Sequence, residues 1–148
     1  MNARELMTAQ PATITGTDTV VQAAQIMRTR DVGMLPVVAS HTDPRLIGIL
    51  TDRDIVVRFV APGYGSSALV REHMTREPIV TVAATDSERE IGDKMTRFQV
   101  RRLPVVDSDG RVIGVVAQAD LALSIGPTNP LLVEQVLESI SRPGALMH

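Results

Sequence analysis

The 148-residue chain has single-domain length and an ordinary 44% apolar content, but only one tyrosine, two phenylalanines and no tryptophan, so its core must be aliphatic. A formal net charge of −2 with no basic run argues against broad phosphate contact with nucleic acid, and the scarcity of rings argues against base stacking. The lack of cysteine excludes disulfides, thiol chemistry and cysteine metal ligands; no apolar run approaches the roughly 20 residues of a membrane span and no signal peptide is visible, so the expectation is a soluble cytoplasmic protein.

Arg4-Glu5-Leu6-Met7-Thr8 leads to Pro11. Asp18-Thr19 then opens a helix whose Val20, Ala23, Ala24 and Met27 follow the i, i+3, i+4, i+7 spacing of one buried stripe. A short apolar strand, Leu35 to Val38, contains Pro36, which lacks a ladder donor and belongs at a strand start or edge. After a looser stretch, Ser40 to Pro44, the chain returns as a strand from Leu46 to Leu50 and enters a helix near Thr51. Pro62-Gly63-Tyr64-Gly65-Ser66-Ser67 reads as a linker.

The pattern then begins again. Arg71-Glu72-His73-Met74-Thr75 and Pro78 precede a helix opened by Asp86-Ser87, with Ile91, Met95 and Phe98 expected inside. A strand from Leu103 to Val106 meets the tight-turn signal Asp107-Ser108-Asp109-Gly110, and a strand from Val112 to Val116 runs into a helix near Gln118. Pro127-Thr128-Asn129-Pro130 precedes a last helix in which Leu132, Val136, Leu137 and Ile140 are expected to bury, stopped by Arg142-Pro143-Gly144.

Corresponding landmarks recur 66 to 68 residues apart. Two copies are too few for a solenoid, which needs about three. They predict an α/β (α+β) fold: two pseudo-twofold-related β-α-β-β-α units, residues 4–61 and 71–125, forming one compact module with a helical tail over 126–148.

Thr51-Asp52-Arg53-Asp54 falls where a buried strand ends and a helix begins. Unpaired N–H groups there suit an anion, a carboxylate can hold the two hydroxyls of a ribose, and arginines such as Arg53 or the pair Arg101-Arg102 can neutralise phosphate. The same Thr-x-x-Asp spacing also reads as a helix cap without a ligand. Met7, Met27, Met74 and Met95 read as core filler, and His41, His73 and His148 lack metal-ligand spacing. No G-x-S-x-G, H-E-x-x-H, P-loop or dinucleotide fingerprint is present, so the chain is not expected to be an enzyme and no metal is expected.

Two tandem units, each with a Met-Thr-x-x-Pro lead-in, a Leu-Pro-Val-Val strand and a glycine-headed strand ending in Thr-x-x-Asp or its variant Ala117-Gln118-Ala119-Asp120, resemble a cystathionine β-synthase (CBS) domain pair, the Bateman module. The chain is also similar to small stand-alone bacterial members of the mycobacterial hypoxic-response type. The resemblance implies a regulatory module with two clefts for adenosine-containing ligands: AMP, ADP, ATP, NAD or S-adenosylmethionine. It implies that each cleft takes its ribose-binding Asp from one unit and much of its adenine pocket from the other. By position, one cleft combines Ile49, Thr51, Arg53 and Asp54 with Thr75, Val80, Val100, Arg101 and Arg102. A second, weaker one combines Thr8, Thr13, Val32 and Gly33 with Val115 and Asp120. Ala117 and Ala119 stand there for Thr51 and Arg53, and Gly33 and Met34 for Arg101 and Arg102, so phosphorylated ligand is expected first in the Asp54 cleft. The expected partners are a second copy in a homodimer and an unidentified protein target. The alternative is a ligand-free structural or partner-binding dimer of a stress-response protein.

Overall fold

The computed structural model describes residues 1–124 and 130–140. The expected features at Pro127-Thr128-Asn129 and Arg142-Pro143-Gly144, His148 and the side chain of Ile140 lie outside the described residues. In chain order the elements are α1 (Ala3–Leu6), β1 (Thr8–Ala9), β2 (Ile14–Thr15), α2 (Val20–Arg30), β3 (Met34–Ser40), β4 (Asp43–Thr51) and α3 (Asp52–Asp54). A π-helix (Ile55–Val60) continues α3, and a 3-10 turn (Val70–Glu72) precedes β5 (Val82–Ala83). Then come α4 (Glu88–Phe98), β6 (Arg102–Val106), β7 (Val112–Ala117), α5 (Gln118–Ser124) and α6 (Pro130–Ile140).

The fold is mixed α+β and divides into two compact units. One comprises Pro11–Ile79 with Asp109–Val112; the other comprises Met1–Gln10, Val80–Ser108 and the chain from Ile113. The units therefore differ from the halves of the sequence, because each takes in the lead-in of the other half.

In the Pro11–Ile79 unit, β3 is central, with β2 parallel on one side and β4 antiparallel on the other. Thr75, from the second lead-in, bridges to Ile49 on the outer edge of β4. Glycine is required at position 48 by this approach: a Cβ there would stand 2.6 Å from Met74 Sδ and 3.1 Å from the Thr75 carbonyl oxygen. Helix α2 starts at the capping box of Thr19 and Gln22, which satisfies two N–H groups that the first turn leaves without partners. It buries Val20, Ala23 and Met27, with Ala24 half-buried, against Leu35, Val37 and Leu50.

Pro36 departs from the expectation of a strand start or edge, since it lies inside central β3 opposite Ile49. Ile49 spends both its N–H and its carbonyl on Thr75. Pro36 is therefore in a non-hydrogen-bonded pair with β4, and β2 pairs only from Val37 onward. The missing proline donor breaks no ladder bond.

The other unit repeats the plan. Its sheet order is β1-β7-β6-β5, with β1 antiparallel to β7 and β5 parallel to β6. Thr8 pairs with Val115, as Thr75 does with Ile49. Met7 lies over Gly114, as Met74 lies over Gly48. Ser87 caps α4, and Ile91 and Met95 are fully buried. Phe98, expected inside, is instead 37% exposed at the helix end, where the Arg97 guanidinium lies 5.2 Å from its ring centroid. Helix α6 packs on α4: Leu132 and Val136 are buried, and Gly92 leaves them room, since a Cβ there would lie 3.0 Å from Leu132 Cδ1. Leu137, also expected inside, is 39% exposed because it lies off the stripe that faces α4. Gly110 adopts φ +79°, the left-handed geometry of the predicted tight turn.

Candidate functional site

Strand β4 ends at Thr51 in an extended conformation, and the chain turns at once into helix. The Thr51 hydroxyl accepts from the Asp54 N–H at 3.1 Å, and Asp54 Oδ2 accepts from the Thr51 N–H at 3.0 Å. This reciprocal pair is a capping box with Asp in place of the usual Glu or Gln. The Asp54 side chain is 13% exposed, and Arg58 Nε stands 3.8 Å from its Oδ1. The Asp52 N–H donates to the Gly33 carbonyl at 2.9 Å, which ties the helix start to the beginning of β3. Beside this turn, the Ile49 and Thr75 main chains exchange hydrogen bonds of 2.9 and 2.8 Å.

Ile49, Thr51, Arg53, Asp54 and Thr75 are thus brought together in the Pro11–Ile79 unit, which also contains Thr13, Val32 and Gly33. Arg58 escaped the sequence reading. Its signal was its place four residues after Asp54, the spacing at which an acid and a base meet on a helix.

The other unit holds Thr8, Val80, Val100, Arg101, Arg102, Val115 and Asp120. Each expected set therefore has members in both units. Asp120 Oδ2 accepts from the Ala117 N–H at 2.7 Å, matching the Asp54 bond. Ala117 has no hydroxyl to return, and Ser124 stands where the first unit has Arg58. The Gln118 N–H donates to the Arg101 carbonyl at 2.7 Å, the counterpart of Asp52 and Gly33. The backbone of Arg101 therefore lies against the Ala117–Asp120 turn of its own unit. Val80 and Val100 pack at the margin of that unit's core.

A strand-to-helix turn with a partly buried carboxylate, flanked by a threonine-bearing segment and built twice, joins the repeat to the fold. The model of the CBS domain matches residues 3–61 and 70–126, and the chain belongs to that family, carrying the domain in tandem. It is 37% identical over 144 residues to Hypoxic response protein 1 of Mycobacterium tuberculosis, covering 97% of this chain and 96% of that protein. The crystal structure of Hypoxic Response Protein I with two coordinated zinc ions matches with a TM-score of 0.74 at 37% identity, covering 84% of this chain and 98% of that one. The CBS domain pair of MJ0100, solved with 5′-methylthioadenosine and S-adenosyl-L-methionine, matches with a TM-score of 0.74 at 26% identity, over 86% and 97% of the two chains. A CBS domain protein from Pyrobaculum aerophilum complexed with AMP shares the fold, with a TM-score of 0.78 at 24% identity over 93% and 99%.

Among the described residues, those present do not make up a zinc site. The chain has no cysteine, and among the described residues no group of three or more His, Asp or Glu is placed to hold a metal. Among the described residues no helix is long and apolar enough to cross a membrane.

Proposed function

We propose that this chain is a non-catalytic, cytoplasmic regulatory module that binds an adenosine-containing ligand of the AMP, ADP, ATP or NAD type, with S-adenosylmethionine as a further candidate. The observation that carries this reading is the Thr51–Asp54 turn beside the Ile49–Thr75 pairing, repeated as the Asp120 turn beside the Thr8–Val115 pairing. A carboxylate held rigidly by its own helix start is pre-organised to accept bonds from ribose hydroxyls. The adenosine ligands held by MJ0100 support the same ligand class. Arg53 and Arg58, both close in sequence to Asp54, supply positive charge for a phosphate.

The π-helix that follows Asp54 exposes Val56, Val57 and Val60. An apolar stripe of this kind supports a homodimer and gives the ligand turn a direct route to a partner surface.

A second reading, a ligand-free partner-binding dimer, is favoured by one feature. The Asp54 and Asp120 carboxylates already accept backbone bonds within their own turns, as caps do. A thermal-shift panel of AMP, ADP, ATP, NAD, NADH and S-adenosylmethionine separates the two. A ligand at 100 times its dissociation constant adds about 2.7 kcal/mol of stability. A melting temperature unmoved by all six compounds favours the ligand-free dimer.

A further inference from the structure

The Pro11–Ile79 unit contains a cavity of about 270 Å³ whose lining includes no residue of the Thr51–Asp54 turn. Ala39, Ile47 and the buried Met74 form its apolar part, and the exposed Thr17, Arg71 and Arg76 its polar part. The two polar segments are closely tied. The Arg71 N–H donates to the Gly16 carbonyl at 3.0 Å, and a Cβ at Gly16 would stand 3.1 Å from Arg71 Cβ. Arg76 Nη2 donates to the Arg71 carbonyl at 3.3 Å, which holds the second guanidinium against the backbone of the first arginine.

Among the described residues, neither Arg71 nor Arg76 has a carboxylate within ion-pair distance. No acidic side chain lines the cavity. Asp18, next to Thr17, is committed to the Thr15 N–H at 3.0 Å and to His41 at 3.2 Å. Two guanidinium groups on one cavity repel each other, and a bound dianion reverses the sign of that interaction. Phosphate carries about two negative charges near neutral pH, and its oxygens match the guanidinium fork. A monocarboxylate would leave one positive charge unmatched. The apolar part of the cavity gives a carbon body somewhere to go.

We propose that this cavity binds a small phosphate monoester, with the phosphoryl group held by Arg71 and Arg76 and the apolar body against Ala39, Ile47 and Met74. The proposal stands apart from adenosine binding at Thr51 and Asp54. The test is amide NMR on the full chain with phenyl phosphate as the probe and benzoate as the comparison. Phenyl phosphate is expected to shift the Gly16, Thr17, Arg71 and Arg76 amides saturably. Arg71→Gln with Arg76→Gln should weaken it by about tenfold or more, while Arg71→Lys with Arg76→Lys recovers part of the loss. Both side chains are exposed, and the spectrum itself reports whether the variants fold. Adenosine-induced shifts at Thr51 and Asp54 should be the same in every variant. Shifts from phenyl phosphate confined to Thr51 and Asp54, wild-type affinity in the double glutamine variant, or equal binding of benzoate would each overturn the assignment.

Discussion

Asp54 has two jobs to tell apart. Its Oδ2 closes the cap on Thr51, and the same carboxylate is the proposed ribose acceptor. Replacing it with Ala removes hydrogen bonds to a charged acceptor, each worth roughly 1.5–3 kcal/mol. Adenosine-ligand affinity should fall about 10- to 100-fold, with the fold intact. Calorimetry showing unchanged affinity in Asp54→Ala would reduce the residue to a cap. The arginine pair is read in the same way. A phosphate adds about two negative charges, so Arg101→Ala with Arg102→Ala should weaken AMP much more than adenosine, and AMP affinity should decline with salt. Equal losses for the two ligands would show that the pair does not meet phosphate. Combining the change with Asp54→Ala, and separately with Asp120→Ala, shows which carboxylate it works with: the interacting pair gives non-additive losses. The Arg101 carbonyl bonded to Gln118 makes the Asp120 combination a real contender.

Each glycine-headed strand is shaped by the methionine laid over it. A Cβ on Gly114 would overlap Met7 Sδ and stand 3.0 Å from Met7 Cβ, which no side-chain rotation can move away. Gly114→Ala should therefore cost about 1–3 kcal/mol through overpacking. Met7→Ala in the same chain should recover part of that cost, because it removes the overlapping sulfur. Urea unfolding of the two single variants and the double variant measures this, and purely additive losses would refute the packing argument. The glycine-headed motif is thus explained as a seat for a methionine, and the threonine after that methionine is carried into pairing with the strand. This links Met7-Thr8 to Gly114-Val115 and Met74-Thr75 to Gly48-Ile49.

Folding stability of the chain as a whole should respond to acid through two matched aspartates. Asp18 accepts from the Thr15 N–H and Asp86 from the Ala83 N–H, each at 3.0 Å, in the turn that precedes a helix. Burial raises the pKa of Asp18, but the Thr15 N–H and hydroxyl and the neighbouring His41 outweigh it, leaving the group below its ordinary value of 3.8. Burial likewise raises Asp86, while the Ala83 N–H, the Lys94 ammonium and Glu90 bring it below 3.8. Between the folded and unfolded values the unfolded chain binds more protons, so stability increases with pH there. The contribution is complete above the unfolded value and is lost as pH falls through the folded one. Asp18→Asn with Asp86→Asn should flatten the stability profile below about pH 4. An unchanged acid limb in denaturant titrations would contradict this.

Much of the molecule was legible in one dimension because it rests on local physics. Helix starts at Thr19, Ser87 and Thr51 are set by side chains bonding their own backbone within three residues. Apolar spacing marked Val20, Ala23, Met27, Ile91 and Met95 as interior, and the repeat marked two like units. What needed tertiary structure is whatever depends on distant segments meeting. Either methionine suits either glycine by local chemistry, so only the folded chain decides that Met7 covers Gly114 and Met74 covers Gly48. Phe98 shares the helical spacing of the buried Ile91 and Met95, yet packing at the helix end leaves it exposed, and Leu137 falls off the stripe of α6 that meets α4. The same holds for the candidate site. Composition and spacing identify Asp54 and Asp120 as matched carboxylates, and Arg58 follows Asp54 at a local helical spacing, but the Arg101 backbone beside the Asp120 turn emerges only when strand and helix are brought together in space.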